Sequence, residues 1–172
     1  MKNFKEIIIL GYGDERGLTV DEDGFISSKD IYNVGKEYGN NTTINRLLER
    51  KSVLKNILTD YIIGIDEEEF FIEGKIAEDY IKLLAEHNLT KDVESKEKII
   101  LTNRYIDNVL KEYDAGNNRY SGSRLLDTLP GFVRKYNYGR GVGQVVFYNK
   151  TVSMILASEY DSRLQHKIYA FL

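Results

Sequence analysis

The sequence predicts a mixed α+β fold, organised as two tandem modules that each combine a pair of helices with a β-hairpin. Three observations support this prediction: short β-rich runs beside glycines, apolar residues at helical spacing, and sequence blocks that occur twice in the same order. The chain of 172 residues is 42% hydrophobic and 12% aromatic, which is typical of a folded core rather than a disordered chain.

The repeated blocks predict an internal duplication. Ile31–Tyr38 returns as Ile106–Tyr113 with six of eight positions identical, and Lys5–Leu10 returns as Lys96–Leu101 with five of six identical. A chain rich in Ile, Asn, Lys and Tyr also produces matches by chance, so a duplication and a coincidence are both open. Matching blocks in one order favour the duplication.

The duplication sets the expected domain boundaries. We expect an acidic module at residues 1–90 and a basic module at residues 96–172, joined by a polar linker at residues 88–95. Up to residue 90 the chain carries 11 Lys and Arg against 18 Asp and Glu, a net charge of −7. The remainder carries 13 against 9, a net charge of +4. Such a division indicates different partner surfaces.

The elements of the first module follow from local patterns. Its expected order is a strand, a second hairpin arm, two helices separated by Gly39-Asn40-Asn41, a β-hairpin and a closing helix. These elements are predicted, in that order, at Lys5–Leu10, Thr19–Ile26, Ser27–Tyr38, Thr42–Leu54, Tyr61–Ile72 and Ile76–Leu84.

The second module is predicted to repeat this order. We expect helices at Tyr105–Tyr113 and Ser121–Leu126, a strand at Gln144–Tyr148 and one long helix over Thr151–Leu172. The apolar stripe of the long helix fits packing within the chain and also fits the seam of a homodimer. Helix, turn, helix, hairpin and helix is the order of a winged helix-turn-helix, so the predicted fold class is two such modules in tandem.

The two helices of the first module form a candidate helix-turn-helix. In that motif, polar and basic side chains on the second helix contact base edges and phosphates in the major groove. An ordinary pair of helices with a solvated polar face is the alternative. The candidate DNA-contacting residues are Thr42, Thr43, Asn45, Arg46, Arg50 and Lys51.

A basic segment in the second module is the stronger candidate for nucleic-acid binding. Between Asn117 and Lys150, six cations face the single carboxylate of Asp127, a net charge of +5, and aromatic residues alternate with them. Cations neutralise phosphates and aromatic rings stack on bases, although a solvated loop has the same composition. The candidate residues are Arg119, Arg124, Arg134, Lys135, Tyr138, Arg140 and Lys150, and Arg134–Gly143 is expected to form the wing.

A family resemblance follows from these motifs. ISSKDIYNVGKEY, NNTTINRLLE and EEEFFIEGKIAEDYIKLLA resemble segments of phage regulatory and antirepressor proteins of the Rha type, with a looser similarity to KilA-N modules. The resemblance covers about residues 25–90 and, more faintly, residues 105–172. It implies a winged helix-turn-helix regulator of a phage or mobile element. The acidic residues 66–69 replace the aromatic strand usual in that family.

Two functions follow as expectations. The first is a small DNA-binding regulator that contacts double-stranded DNA. The alternative is an antirepressor or inhibitor of a host protein, whose acidic N-terminal half binds a partner with a basic surface. The acidic residues of that half are Asp14, Glu15, Asp21, Glu22, Asp23, Asp66, Glu67, Glu68 and Glu69.

Composition argues against several other classes. The chain has no cysteine, which excludes a disulfide scaffold, a Cys-ligated zinc site and a thiol nucleophile. Its two histidines are isolated and no catalytic motif accompanies them, so we expect no enzyme activity, no cofactor and no metal site. No apolar run suggests a signal peptide or a membrane span, and we expect a cytoplasmic protein without membrane contact.

Overall fold

The computed structural model describes residues 4–11, 15–66, 74–90 and 93–171. Over these residues the chain has a mixed α+β architecture with one five-stranded sheet and eight α-helices. The strands are β1 (Lys5–Gly11), β2 (Glu15–Val20), β3 (Ile26–Ser27), β4 (Val133–Asn137) and β5 (Gln144–Tyr148). The helices are α1 (Ser28–Gly35), α2 (Ile44–Leu47), α3 (Lys51–Asp66), α4 (Lys75–Glu86), α5 (Lys96–Glu112), α6 (Ser121–Leu126), α7 (Lys150–Tyr160) and α8 (Ser162–Phe171).

The chain divides into two compact units. The sheet unit consists of Met1–Leu47 together with Gly131–Leu172, and the helical unit consists of Leu48–Pro130. The sheet unit is therefore built from the two ends of the chain, and the helical unit is inserted between them in sequence.

This division differs from the predicted boundary at residues 88–95. The reason is a strand pairing that joins the two chain ends: β3 lies antiparallel to β5, with Ile26 opposite Tyr148 and Ser27 opposite Phe147. Because backbone hydrogen bonds connect the strands of one sheet, these segments fold together.

The five strands are ordered β1-β2-β3-β5-β4, and each neighbouring pair is antiparallel. A hairpin with β1 is formed as predicted, with Lys5 opposite Val20, but its second arm is Glu15–Val20 and not Thr19–Ile26. The predicted arm is interrupted by a turn in which the Gly24 amide donates to the Asp21 carbonyl. The strand predicted at Gln144–Tyr148 is confirmed as well, and it forms a hairpin with β4.

Helix α1 packs in the core of the sheet unit. Ile31 and Val34, which were predicted on one helical face, are both completely buried. Gly35 ends the helix where the ring of Tyr160 approaches, and a Cβ atom at Gly35 would lie 2.5 Å from the Cγ atom of Tyr160. Only glycine permits this close approach of α1 to α7.

The C-terminal segment forms two helices instead of the single helix that was predicted. Asp161 interrupts it with an extended backbone conformation, φ −167° and ψ 137°. The Asp161 carboxylate accepts a hydrogen bond from the Arg163 amide at 2.8 Å and so caps the next helix. The apolar stripe is nevertheless buried within the chain, at Val152, Leu156, Tyr160, Leu164 and Ile168.

The bounds of helix α3 differ from two predictions. The helix predicted over Thr42–Leu54 is interrupted, because α2 ends at Leu47 and α3 begins at Lys51. The strand predicted at Tyr61–Ile65 is wrong, since these residues continue α3. The buried residues of this helix keep helical spacing throughout, which explains the result: Val53, Leu54, Ile57, Leu58, Tyr61, Ile62 and Ile65. The second arm predicted for that hairpin, Phe70–Ile72, lies outside the described residues.

The helices predicted around Ile76–Leu84, Tyr105–Tyr113 and Ser121–Leu126 are confirmed as parts of α4, α5 and α6. One pair of repeated blocks has two structures, because Lys5–Leu10 forms a strand and Lys96–Leu101 forms the first turns of α5. The internal duplication stays a prediction.

Candidate nucleic-acid interface

The hairpin of β4 and β5 carries the exposed basic turn of the predicted wing. Its strands pair from Val133 opposite Tyr148 to Asn137 opposite Gln144. In the turn, Tyr138 donates its amide to the Gly143 carbonyl at 3.0 Å, and Gly143 donates its amide to the Gly139 carbonyl at 3.0 Å. The expected hairpin is thus formed and closed by backbone hydrogen bonds.

Glycine determines the conformation of this turn. Gly139, Gly141 and Gly143 have φ values of 86°, 86° and 73°, in the left-handed region that strains other residues. Arg140 stands between two of these glycines and is exposed. Tyr138 and Val142 are 44% and 55% exposed. The turn therefore presents a cation together with aromatic and aliphatic side chains to solvent.

A buried carboxylate in the β2–β3 turn anchors the hairpin. The Asp21 carboxylate accepts hydrogen bonds from the Phe25 amide at 2.9 Å, the Arg134 guanidinium at 3.0 Å and the Tyr136 hydroxyl at 2.7 Å. Burial raises the pKa of this carboxyl group, but the bonds from Tyr136, two backbone amides and Arg134 outweigh burial and lower the pKa below its usual 3.8. Asp21 is therefore a charged anchor for β4.

Arg134 serves this anchor as an internal ion-pair partner. Besides Asp21, its guanidinium donates to the Asp23 carboxylate at 2.6 Å and lies 4.1 Å from the centroid of the Phe25 ring. Burial lowers the pKa of Arg134, while its bonds with Asp23, Tyr136 and Asp21 raise the pKa by more. We therefore interpret Arg134 as a residue that positions the β4–β5 hairpin, and Arg140 as the exposed cation of its turn.

Aromatic contacts around Tyr136 also support the hairpin. The rings of Phe4 and Tyr136 lie 5.3 Å apart, and those of Tyr136 and Phe147 lie 4.9 Å apart in an edge-to-face arrangement. Phe25, Val145 and Phe147 form a buried cluster against which Tyr136 packs. The aromatic residues of this region were predicted to stack on bases, whereas Tyr136 packs against the buried cluster.

The residues predicted to contact DNA from the second helix have two kinds of environment. The Thr42 amide and hydroxyl both donate to Asn40, and the Thr42 carbonyl accepts a 2.6 Å bond from Tyr160. The Thr43 hydroxyl accepts a 3.3 Å bond from the Arg46 amide, at the start of α2. Asn45 and Arg46 are exposed on the single turn of α2. The two threonines thus have local structural roles.

The remaining candidates are distributed over both units. Lys135 on β4 is exposed, and Lys150 at the start of α7 has its Nζ atom 4.9 Å from the centroid of the Tyr169 ring. Both belong to the sheet unit. The four candidates in the helical unit are Arg50, Lys51, Arg119 and Arg124.

Two of those four cations lie over aromatic rings. The guanidinium of Arg119 is 5.1 Å from the centroid of the Tyr120 ring, and that of Arg124 is 5.5 Å from the centroid of the Tyr113 ring. These are contacts of surface side chains within the helical unit. The structure therefore does not gather all the predicted basic residues in one folded unit.

The acidic residues of the alternative function are also separated. Asp21 and Asp23 bind Arg134 in the sheet unit, and Asp66 lies at the end of α3 in the helical unit. Asp14 and Glu67–Glu69 lie outside the described residues, and Glu15 is described only in its backbone. In the sequence, Asp21 stands out only as one of several acidic residues near a glycine. That pattern does not reveal its partners Arg134 and Tyr136, which lie 113 and 115 residues away.

The two units have net charges of opposite sign. The sheet unit contains 12 Lys and Arg against 10 Asp and Glu, a net of +2, whereas the helical unit contains 12 against 17, a net of −5. The basic hairpin of the C-terminal segment and the helices α1 and α2 of the N-terminal segment thus belong to one unit.

Comparisons with protein-family models, curated proteins and solved structures give no match to this chain. Within the described ranges, no helix is long and apolar enough to cross a membrane. Over those same ranges, no group of three or more His, Asp or Glu side chains is placed to hold a metal ion.

Proposed function

We propose that this protein is a DNA-binding regulator and that its DNA-binding surface lies on the sheet unit. The observation that carries the proposal is the pairing of β3 with β5. The strand immediately before α1 thereby joins the hairpin that bears Arg140. Helix α1, helix α2 and an exposed basic hairpin then belong to one folded unit.

This arrangement has the parts of a winged helix-turn-helix. A short strand before the helix pair lies beside a two-stranded hairpin, and the hairpin is the wing. We propose a single such module in place of two in tandem. Its helices come from the N-terminal segment and its wing from the C-terminal segment, with the helical unit inserted between them.

The proposed contacts divide between the two elements. Asn45 and Arg46 are the exposed polar residues of α2 and would contact base edges or phosphates. Lys135 and Arg140 on the wing would neutralise phosphates, and Tyr138 would add an aromatic surface. The helical unit, with its net charge of −5, supplies no net phosphate attraction.

The resemblance to phage regulatory and antirepressor proteins supports a role in a phage or mobile element. A regulator of this kind acts on DNA in the cytoplasm of its host, which is where we propose this protein acts. The proposal assigns it no catalytic step and no cofactor.

The proposal is tested by fluorescence anisotropy with a labelled random duplex of about 30 base pairs, long enough for two half-sites one helical turn apart. We expect affinity to fall steeply with salt, because each neutralised phosphate contributes about −0.9 to the slope of log K against log salt. Arg140→Ala should weaken binding and reduce the magnitude of that slope by about 1.

The matched control is Arg104→Ala, which removes an exposed cation from α5 in the helical unit. This variant should bind like the wild type. If Arg140→Ala and Arg104→Ala have the same effect, the wing is not the contact surface. Absence of binding at low salt would contradict nonspecific DNA affinity and would favour the protein-binding alternative.

A further inference from the structure

The helical unit contains a groove between α3 and α5. It has a volume of about 180 Å³, and four isoleucines form most of its apolar wall. The complete lining is Thr59, Ile62, Ile63, Asp66, Glu94, Lys98, Ile99, Thr102, Asn103 and Ile106.

Two of the isoleucines that line the groove are exposed to solvent. Ile63 is 46% exposed and Ile99 is 52% exposed, although both are large aliphatic residues. Ile100, the next residue of α5, is 50% exposed but is not part of the groove lining. Exposed apolar side chains that line the same groove are typical of an interaction site.

A buried polar network holds the helices around the groove. The Lys98 side chain is 1% exposed, and its ammonium group lies 3.4 Å from carboxylate oxygens of Asp66 and of Glu94. The Tyr80 hydroxyl lies 3.1 Å from Asp66 Oδ2 and 3.1 Å from the Thr102 hydroxyl. These bonds connect α3, α4 and α5.

The network stabilises the arrangement of the helices that form the groove. A buried charged group is strongly destabilising when its partner is lost, so the three helices are constrained to keep these contacts. A preformed groove binds an apolar segment at a lower entropic cost than a groove that must first be ordered.

The negative charge of the helical unit indicates what kind of segment the groove would bind. The helical unit has a net charge of −5. At one end of the groove, the Glu94 side chain is 69% exposed, so its carboxylate is available to a cation although one oxygen contacts Lys98. A second copy would bring an equally acidic unit to this surface, which disfavours pairing of like units.

We propose that the α3–α5 groove binds the apolar face of a cationic amphipathic helix from another protein. Aliphatic side chains of that helix would contact Ile63 and Ile99, and its Lys or Arg residues would lie near Glu94. This mode of recognition, a helix in a groove, uses apolar anchors spaced at i, i+3 or i+4 and i+7. The proposal concerns the helical unit and is independent of DNA binding by the sheet unit.

The test uses the full chain and a labelled peptide of about 20 residues, long enough to form a helix. The peptide has Leu at i, i+3, i+4 and i+7 and Lys at its other positions, and a matched peptide has Glu in place of Lys. We expect the Lys peptide to bind measurably, and the Glu peptide to bind at least about tenfold more weakly because of charge repulsion.

Two neighbouring substitutions locate the site. Ile99→Asn should weaken binding of the Lys peptide by about tenfold or more, as expected for an anchor residue. Ile100→Asn, which removes an equally exposed isoleucine outside the groove, should leave affinity within about twofold. Circular dichroism and DNA binding should be unchanged in both variants, which separates this test from that of the proposed function.

Three outcomes would overturn the inference. The first is an equal effect of Ile99→Asn and Ile100→Asn: equal weakening places the apolar contact outside the groove, and no weakening by either indicates a general electrostatic attraction. The second is equal or absent binding of the two peptides. The third is concentration-dependent self-association in sedimentation equilibrium that Ile99→Asn abolishes, since the occupant is then a second copy of this chain.

Discussion

Tyr136 donates a hydrogen bond from its hydroxyl group to the buried carboxylate of Asp21 at 2.7 Å, across 115 residues of sequence. Arg134, two residues before Tyr136 on β4, binds the same carboxylate at 3.0 Å. Through these two bonds the turn between β2 and β3 holds the β4–β5 hairpin. The stability of the sheet unit and the geometry of the proposed DNA-binding surface therefore depend on one side chain.

Replacing Asp21 should destabilise the protein more than any other change in this turn. Asp21→Ala leaves the buried amide of Phe25, the Tyr136 hydroxyl and the Arg134 guanidinium without their acceptor. We expect a loss of roughly 2 to 3 kcal/mol in the free energy of unfolding, measured by urea denaturation.

Asp23→Ala is the matched control for Asp21→Ala. The Asp23 side chain is 53% exposed and binds the same guanidinium. Exposed ion pairs contribute at most about 1 kcal/mol, so the control should lose far less stability. Equal losses for the two variants would contradict the role of Asp21 as the anchor.

The contribution of Asp21 should depend on pH with a defined sign. Its pKa in the folded protein is lower than the usual 3.8, so its contribution is fully present above that value and is lost as pH falls through the folded pKa. We expect the stability difference between wild type and Asp21→Asn to be constant above pH about 5 and to shrink in more acidic solution.

The wild type must be compared with Asp21→Asn because Asp66 changes the stability of the protein with pH in the opposite direction. Burial raises the pKa of its carboxyl group, despite the attraction of Lys98. Protonation of Asp66 therefore favours the folded state as pH falls. A difference between wild type and Asp21→Asn that stays constant down to pH about 2 would contradict the lowered pKa of Asp21.

Gly35→Ala should destabilise the sheet unit. The new Cβ atom would lie within 2.8 Å of three atoms of the Tyr160 ring, and the Tyr160 hydroxyl is held by the Thr42 carbonyl. Overpacking of this kind costs roughly 1 to 3 kcal/mol. Thermal unfolding measures it, with the exposed Lys29→Ala in the same helix as control, for which we expect a change within about 0.5 kcal/mol. A tolerated Gly35→Ala would show that α1 and α7 can separate at little cost.

A double substitution, Arg119→Ala with Arg124→Ala, should leave DNA affinity and its salt dependence unchanged. Both residues belong to the helical unit, where each lies over a tyrosine ring. The same duplex titrations that test Arg140→Ala measure this effect. A slope reduced in magnitude by about 2 would move the phosphate-binding surface to the helical unit.

Local sequence patterns correctly predicted those elements whose residue spacing fits only one type of secondary structure. The apolar spacing of Ile31 and Val34 predicted α1, and the β-rich run followed by glycines predicted the strand at Lys5–Leu10. The basic segment Arg134–Gly143 was predicted as the tip of a hairpin, and the turn around Arg140 lies within it. These features depend on residues close together in sequence.

Two segments of nearly identical sequence have different structures, because their flanking residues and tertiary contacts differ. Lys5–Leu10 pairs with β2 and is a strand. Lys96–Leu101 shares five of its six residues but follows Ser95, whose hydroxyl accepts a bond from the Lys98 amide and caps a helix. Short apolar runs fit both structures, and the flanking cap and the available partner decide between them.

The sequence by itself determined the α+β class, most helices and the exposed basic turn, because periodicity and turn chemistry are local properties. Only the tertiary structure decided that the chain ends form one unit, through the pairing of β3 with β5. It also decided that Arg134 binds Asp21 and that Lys98 is buried beside Asp66. Pairings between distant residues depend on how strands and helices meet in space, which the spacing of residues along the chain does not specify.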